Sequence, residues 1–190
     1  TYTSENVSLL PSLINTLIMT LVSLAIAAPV GIFAAIFLVE YAKKGSRFVK
    51  LIRITAETLS GIPSIVYGLF GMLFFVTALH WGMSLLSGAL TMVIMVLPLI
   101  MRTAEEALKS VPDSYREASF GLGAGKLRTI FTIVLPSAVP GILAGVILAI
   151  GRVVGETAAL LYTSGTVAAV PNSLMGSGRT LALHMYVLSS

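Results

Sequence analysis

Four long apolar runs, separated by short polar segments, constrain the fold of this chain more than any other feature. They cover residues 13–39, 54–79, 86–100 and 138–162. The first run would be about 40 Å long as a helix at about 1.5 Å per residue, which exceeds the ~30 Å hydrocarbon core of a bilayer. Because that core offers no water to the backbone, such runs predict helices. We therefore expect an all-α membrane protein, built as a helical bundle.

The composition excludes several classes of protein. Charged residues make up 11% of the chain, whereas a soluble domain carries about 25%. The mean hydropathy is +0.97. The absence of cysteine excludes disulfides and thiol catalysis, and the isolated His80 and His184 predict no metal site. No HExxH motif, Ser/His/Asp grouping or carboxylate cluster is present, so we expect neither an enzyme nor a bound cofactor.

Two basic windows predict the orientation of the chain. Ten of its twelve Lys and Arg residues lie at 40–53 or 101–135, between apolar runs. They are Lys43, Lys44, Arg47, Lys50, Arg53, Arg102, Lys109, Arg116, Lys126 and Arg128. By the positive-inside rule both windows are cytoplasmic, and Thr1, the 80–87 turn and the residues beyond Ser164 lie outside. Topology thus accounts for the net charge of +4, and no nucleic-acid partner is expected.

The polar segment at 111–136 predicts two short helices joined by glycines. Pro112 ends the preceding helix, and Ser114 with Glu117 forms an S-x-x-E capping box. Glycines then stop the short helix, and an amphipathic stretch follows at 126–134. Such a pair can present a knob to a partner's groove. The alternative is an ordinary membrane loop, in which the glutamate only caps and the glycines only stop.

The glycine-rich run at 121–126 does not form a nucleotide site. It reads Gly-Leu-Gly-Ala-Gly-Lys. A P-loop needs an additional glycine upstream and Ser or Thr after the lysine, and Leu127 follows here. The sequence therefore predicts that this chain does not itself bind ATP.

Seven residues of the same segment form a spaced signature. They are Glu117, Ala118, Ser119, Gly123, Ile133, Leu135 and Pro136. Their order and spacing resemble the EAA loop of bacterial ABC importer permeases, although Ser119 stands where alanine is usual. The resemblance implies a type I ABC importer transmembrane domain over 1–190, with 111–136 as the cytoplasmic coupling loop that docks on a separate pair of ATPase subunits. Permeases of this kind usually have more spans and both termini inside, so we expect a span to be missing at each end.

Two further stretches and the C-terminal tail narrow the resemblance. Residues 61–71 and 151–163 resemble segments of phosphate permeases. The tail at 183–186 is similar to that of the A-type subunit of the phosphate-specific ABC importer, whose C-type sister shares the first two stretches. The resemblance implies a phosphate pathway that works by alternating access in a bacterial or archaeal plasma membrane. The implied partners are a sister permease in a heterodimer, the ATPase pair, an extracytoplasmic phosphate-binding protein and membrane lipid.

Arg152 and Glu156 are the charged residues of the last apolar run, and their spacing places them on one helix face. An ionised group at mid-bilayer costs roughly 2.5–3.5 kcal/mol on insertion scales, so both should face a packed or watery interior. Arg152 can donate a bidentate fork to a tetrahedral oxyanion, with Glu156 moderating the charge. Phosphate, sulfate and molybdate would all satisfy that fork. The alternative is a self-neutralising pair that only orients the helix.

Gly61, Pro63 and Ser64 mark a break in the second apolar run. Pro63 lacks a backbone donor and Gly61 adds conformational freedom, while Ser64 offers a hydroxyl. Interrupted helices at membrane depth are tolerated where they face protein or a water-filled cavity. The break is therefore a candidate to line an anion pathway or to act as a hinge, and a packing kink is the alternative. In the same run, Glu57 is expected to pair with Arg53.

Two other patterns carry weaker expectations. The glycines of Gly141-x-x-x-Gly145 predict a helix-packing face. Residues 165–179 read as an outside loop, where a substrate-delivering binding protein would dock.

A second class of function is a non-transporting membrane scaffold or sensor that keeps the docking loop. Such a protein has no need to bear the cost of Arg152 and Glu156 in the membrane.

Overall fold

The computed structural model describes residues 8–43 and 45–189, and every regular element within these ranges is helical. In chain order the described elements are α1 Leu9–Ile36, π1 Phe37–Tyr41, α2 Arg47–Ser60, α3 Ser64–Gly71, π2 Met72–Ala78, α4 Leu85–Lys109, α5 Asp113–Gly121, α6 Lys126–Thr129, π3 Ile130–Val134, α7 Leu135–Gly155, α8 Ala158–Thr163 and α9 Leu181–Ser189. Thr1 and Lys44, which the orientation prediction uses, lie outside the described residues. The predicted all-α fold is confirmed.

Three continuous helical stretches in the described chain are long and apolar enough to cross a membrane. They are Leu9–Tyr41, Leu85–Lys109 and Lys126–Gly155. A fourth span exists if the broken pair Arg47–Ser60 and Ser64–Ala78 is counted as one. The apolar runs thus form helices where the sequence predicts them, and the second run is interrupted at the predicted place.

The last span differs from its prediction at both ends. Residues 126–134, predicted as a separate amphipathic helix, form α6 and π3 and continue directly into α7. Ile130 and Val134 are buried in the apolar core that α7 also joins, and this burial extends the helix into the basic segment. At the other end α7 stops at Gly155, so Tyr162 belongs to the separate helix α8.

Contacts divide the chain into two compact units. The first comprises residues up to Ala27, Gly61–Val96 and those from Ile150 onward, and the second comprises Ala28–Ser60 and Leu97–Ala149. Within the first unit α3 packs tightly on α8. A Cβ added to Gly68 would lie only 2.8 Å from the Cα of Ala159, so glycine is what permits this approach.

The second unit has a core of small and branched apolar side chains from α1, π1, α2, α4, π3 and α7. Gly141 and Gly145 of α7 bring that helix against α4. A Cβ on Gly141 would lie 2.6 Å from the Cβ of Ala107, and a Cβ on Gly145 would lie 2.6 Å from the Cβ of Thr103. The predicted GxxxG packing face is therefore confirmed.

Candidate functional site

The break in the second apolar run is a true interruption of the helix. α2 ends at Ser60 and α3 begins at Ser64, with Pro63 extended at φ −59° and ψ 143°. The Val66 N–H donates to the Pro63 carbonyl at 3.0 Å and so starts the new helix. Gly61 and Pro63 are exposed, and Ser64 is half-buried. Backbone groups that an unbroken helix would bond internally are thus free of helical bonds at this point, next to the hydroxyl of Ser64.

Arg152 and Glu156 do not share a helix face, contrary to the sequence prediction. α7 ends at Gly155, so Glu156 lies in the connection to α8. Its Oε1 accepts the backbone N–H of Ala159 at 3.1 Å and thereby satisfies a free donor in the first turn of α8. Among the described residues, no salt bridge joins Arg152 to Glu156. The i,i+4 rule fails here because the helix stops between the two residues.

Arg152 is half-buried in the last turn of α7, where a cation is favoured by the helix dipole. All five predicted pathway residues lie in the first unit. They are Gly61, Pro63, Ser64, Arg152 and Glu156.

The start of α5 differs from the predicted capping box. Pro112 occupies the N-cap position, which makes no side-chain cap hydrogen bond, and the Tyr115 N–H donates to the Pro112 carbonyl at 3.1 Å. The helix therefore begins at Asp113, two residues too early for Ser114 to be its cap. Asp113 in the first turn places a carboxylate at the positive end of the helix dipole. Glu117 has no capping role and is exposed on α5.

The end of α5 is set by Gly123, as predicted. Gly123 has a φ of +82°, a conformation that costs glycine little. Its N–H donates to the Phe120 carbonyl at 2.9 Å, and the Ala124 N–H donates to the Ser119 carbonyl at 3.1 Å. These two bonds form a Schellman motif, which satisfies the last carbonyls of the helix. Leu122, just before the turn, is 90% exposed.

The signature residues divide into exposed and buried groups. Glu117, Ala118 and Pro136 are exposed, and Ile133 and Leu135 are half-buried. Ser119 is buried, and its Oγ lies 2.8 Å from the Oγ1 of Thr129 in α6. The hydroxyl that departs from the usual alanine thus connects α5 to the start of the last span.

The π-helical turn π3 allows the long helix to continue through Pro136 of the signature. The N–H of Leu135 donates to the Ile130 carbonyl, five residues back, and Pro136 has no N–H to donate. A widened turn before a proline relieves the clash between its ring and the preceding carbonyls. A cavity of about 550 Å³ opens between α5 and this stretch, lined in part by Tyr115, Arg128 and Ile133. The signature residues thus belong to one local structure.

Sequence reasoning missed the role of Arg116, which it counted only among the basic residues. The Nε and Nη2 atoms of Arg116 donate to Oε1 of Glu40 in π1 at 3.1 and 2.7 Å. Its guanidinium also donates to the carbonyls of Leu108 and Val111 at 3.0 and 2.9 Å. Two features of the sequence could have indicated this pair. Glu40 is a single acid at the end of the first apolar run, and Arg116 stands directly before the signature.

A second charged cluster corrects the expected pairing of Arg53 with Glu57. Arg53 Nη2 instead lies 2.6 Å from Oε1 of Glu105 in α4, and Lys109 Nζ contacts the same oxygen at 2.6 Å. Glu105 is buried, whereas Glu57 is exposed. A desolvated carboxylate is stabilised more by a nearby cation than a hydrated one is. This explains why Arg53 pairs with Glu105 and not with Glu57.

Residues 165–179 contain no helix, as predicted, but this loop and the residues beside it are bonded to buried polar side chains of the first span. The Nδ2 of Asn15 donates to the carbonyls of Ala169 and Arg179 at 2.9 and 3.2 Å. The Leu181 N–H donates to Oγ1 of Thr16 at 2.8 Å. Burial lowers the pKa of the Arg179 guanidinium from its ordinary value. This connection was not predicted, because Asn15 reads as an isolated polar residue in an apolar run.

Comparison with known proteins identifies the family. Residues 27–188 match the family described as binding-protein-dependent transport system inner membrane component. The chain is 42% identical over 153 residues to a probable ABC transporter permease protein YqgI of Bacillus subtilis, covering 80% of this chain and 52% of the relative. It is also 42% identical over 154 residues to phosphate transport system permease protein PstA 1 of Mycobacterium tuberculosis, covering 81% and 50%. The chain thus spans about half the length of these curated relatives.

Solved structures share the architecture. In the native crystal form of the inward-facing MetNI methionine ABC transporter, one chain matches with a TM-score of 0.65 and 19% identity, covering 95% of this chain and 84% of that one. A selenomethionine-soaked form matches with a TM-score of 0.62 and 20% identity, covering 77% and 68%. This likeness shows the fold of a type I ABC importer transmembrane domain. The chain belongs to the family of binding-protein-dependent transport system inner membrane components.

Proposed function

We propose that this chain is the core of a transmembrane permease subunit in an ATP-driven phosphate importer, and that it forms part of the translocation pathway by alternating access. The observation that carries the proposal is the 42% identity, over 81% of the chain, to a protein named as a phosphate transport permease. Because the chain spans half of that relative, the activity belongs to the longer protein. The chain performs no covalent chemistry, and a separate subunit hydrolyses ATP.

The pathway in this proposal runs past the break and the end of α7. Arg152 supplies a permanent positive charge and a planar fork of N–H donors suited to a tetrahedral oxyanion. The break at Gly61, Pro63 and Ser64 supplies backbone groups and a hydroxyl. Glu156 keeps a negative charge near the site while it caps α8, so that the anion is attracted without being trapped.

The proposed partners follow from what each surface exposes. The ATPase pair contacts the coupling segment at 111–136, where Glu117, Ala118 and Leu122 are exposed. The basic windows at 40–53 and 101–135 are cytoplasmic, in the plasma membrane of a bacterium or archaeon. An extracytoplasmic phosphate-binding protein docks near 165–179. A sister permease and membrane lipid cover exposed apolar side chains such as those of α1.

The test is reconstitution of the full-length protein with its sister permease, ATPase and binding protein in proteoliposomes. We expect labelled phosphate to accumulate when ATP is present and not when a non-hydrolysable analogue replaces it. Excess unlabelled phosphate should compete, and sulfate and molybdate should not. Competition by those anions instead would assign another oxyanion. ATP hydrolysis without accumulation of any anion would indicate a scaffold or sensor.

A further inference from the structure

We propose that Arg116 is a positioning residue that carries ATPase-driven movement of α5 to the first span through Glu40. The inference rests on the proposed function, since it concerns how the coupling segment acts on the membrane helices. It assigns a role to a pair of residues outside the seven-residue signature. All the contacts involved lie within the second unit.

The contacts of Arg116 join three parts of the chain. On π1, Oε1 of Glu40 accepts from both Nε and Nη2 of the guanidinium. At the end of α4, the carbonyls of Leu108 and Val111 accept from Nη2 and Nη1. Within α5, the carboxylate of Asp113 accepts from Nη1 at 3.2 Å. Capping of α4 would require only the bonds to these two carbonyls. The additional bonds to Glu40 join α5 to the first span.

Burial makes the link between Arg116 and Glu40 stiff. The side chain of Arg116 is 13% exposed and that of Glu40 is 8% exposed. A charge pair with so little water around it is weakly screened, and either partner alone would be a costly buried charge. Asp113 is 84% exposed, so its contact with the same guanidinium adds little. The two ends of the buried pair therefore tend to move together.

The neighbouring contacts also join the first span and the helices of the coupling segment to one another. Tyr41, next to Glu40, lies under the Nζ of Lys126 in α6, 4.9 Å from the ring centroid. Ser119, on α5 itself, is bonded to Thr129 of α6. The end of the first span thus contacts both helices of the coupling segment. Arg116 and Glu40 also line a cavity of about 520 Å³, which leaves room for this region to shift.

The experiment compares the Arg116→Gln/Glu40→Gln double variant with the wild type in the full reconstituted complex. The double variant leaves neither charge unpaired, so we expect it to assemble and hydrolyse ATP. Phosphate transported per ATP hydrolysed should fall roughly tenfold, within the usual range of coupling free energies. The matched control is Arg102→Gln/Glu106→Gln, which removes the same two charges from exposed positions of α4 and should keep the wild-type ratio. An unchanged ratio in the first variant would overturn the inference.

A second measurement separates this inference from the proposed substrate. This chain has no cysteine, so once any cysteine elsewhere in the complex is replaced, spin labels can be placed at Leu122→Cys beside α5 and at Phe33→Cys on α1, both at exposed side chains. In wild type both labels should respond to ATP, and in the double variant only the label at position 122 should. A response at position 33 in the double variant contradicts the proposal. If the wild type shows the label responses without phosphate uptake, the substrate is wrong and the link stands.

If the double variant does not assemble, Arg116→Lys takes its place. Lysine keeps a bond to Glu40 but cannot also reach the carbonyls at the end of α4 with a planar fork. We expect it to retain most of the transport per ATP, because the link to the first span persists. A roughly tenfold loss of transport per ATP in Arg116→Lys would show that the carbonyl contacts matter instead, and would refute the role of Glu40.

Discussion

At the scale of single residues, the main question is what a charge gains by lying near a membrane interior. In the second unit, Glu40 forms a short ion pair with Arg116, and Glu105 forms one with Arg53. Arg152 differs, because no salt bridge compensates it among the described residues and its expected partner caps another helix. A half-buried guanidinium without a protein counter-ion is suited to an anion that arrives and leaves. This is why we propose Arg152 as the substrate contact and give Glu156 only a supporting role.

The assignment predicts that Arg152→Gln abolishes phosphate uptake while the complex still assembles. Glutamine keeps a polar side chain with an N–H donor group, but it is shorter and removes the charge and the fork. Loss of one partner from a buried charged contact typically costs ~100-fold or more. Uptake in reconstituted vesicles and co-purification of the ATPase measure the two effects separately. Lys50→Gln, which removes an exposed positive charge from α2, serves as the control and should transport normally. Normal uptake by Arg152→Gln would rule out its role in the pathway.

At the scale of helices, elements set by one residue are predictable from sequence and elements set by packing are not. Pro63 has no N–H and Gly123 takes a positive φ, so the break in the second run and the end of α5 follow from local rules. The continuity of α6, π3 and α7 depends instead on burial of Ile130 and Val134, which no local pattern reveals. Likewise, the spacing of a charged pair predicts a shared face only while the helix continues, and α7 stops at Gly155.

Helix packing gives a prediction that compares two glycines of α7. In both Gly145→Ala and Gly151→Ala the substitution gains about 1 kcal/mol of helix propensity. At Gly145 the new methyl group would collide with Thr103, which costs about 1–3 kcal/mol, whereas nothing lies within 4 Å of a Cβ on Gly151. We therefore expect Gly145→Ala to unfold at a lower temperature than Gly151→Ala in the same detergent. Equal unfolding temperatures would mean that α7 and α4 do not pack through this face.

At the scale of the whole molecule, the division into units follows the charge pattern. The second unit contains both basic windows, and the first contains the 80–87 turn and the residues beyond Ser164. Arg152 and Arg179 are the basic residues of the first unit. The sequence predicts which segments share a side of the membrane from charge alone, and contacts sort the same segments together. The buried bonds from Asn15 and Thr16 to the 164–181 region could not be predicted, because they depend on residues far apart in sequence.

The proposed orientation predicts which positions a membrane-impermeant thiol reagent can reach. A chain without cysteine can carry one reporter at a time, at the exposed positions Lys50→Cys and Ser173→Cys. Moving ten basic residues across the membrane is strongly disfavoured, so the window that contains Lys50 stays in the cytoplasm. In intact spheroplasts we expect the reagent to label Ser173→Cys and to leave Lys50→Cys unlabelled until the membrane is permeabilised. The protein without an introduced cysteine gives the background. Labelling of Lys50→Cys in sealed spheroplasts would reverse the orientation, and would place the coupling segment on the side where no ATPase could reach it.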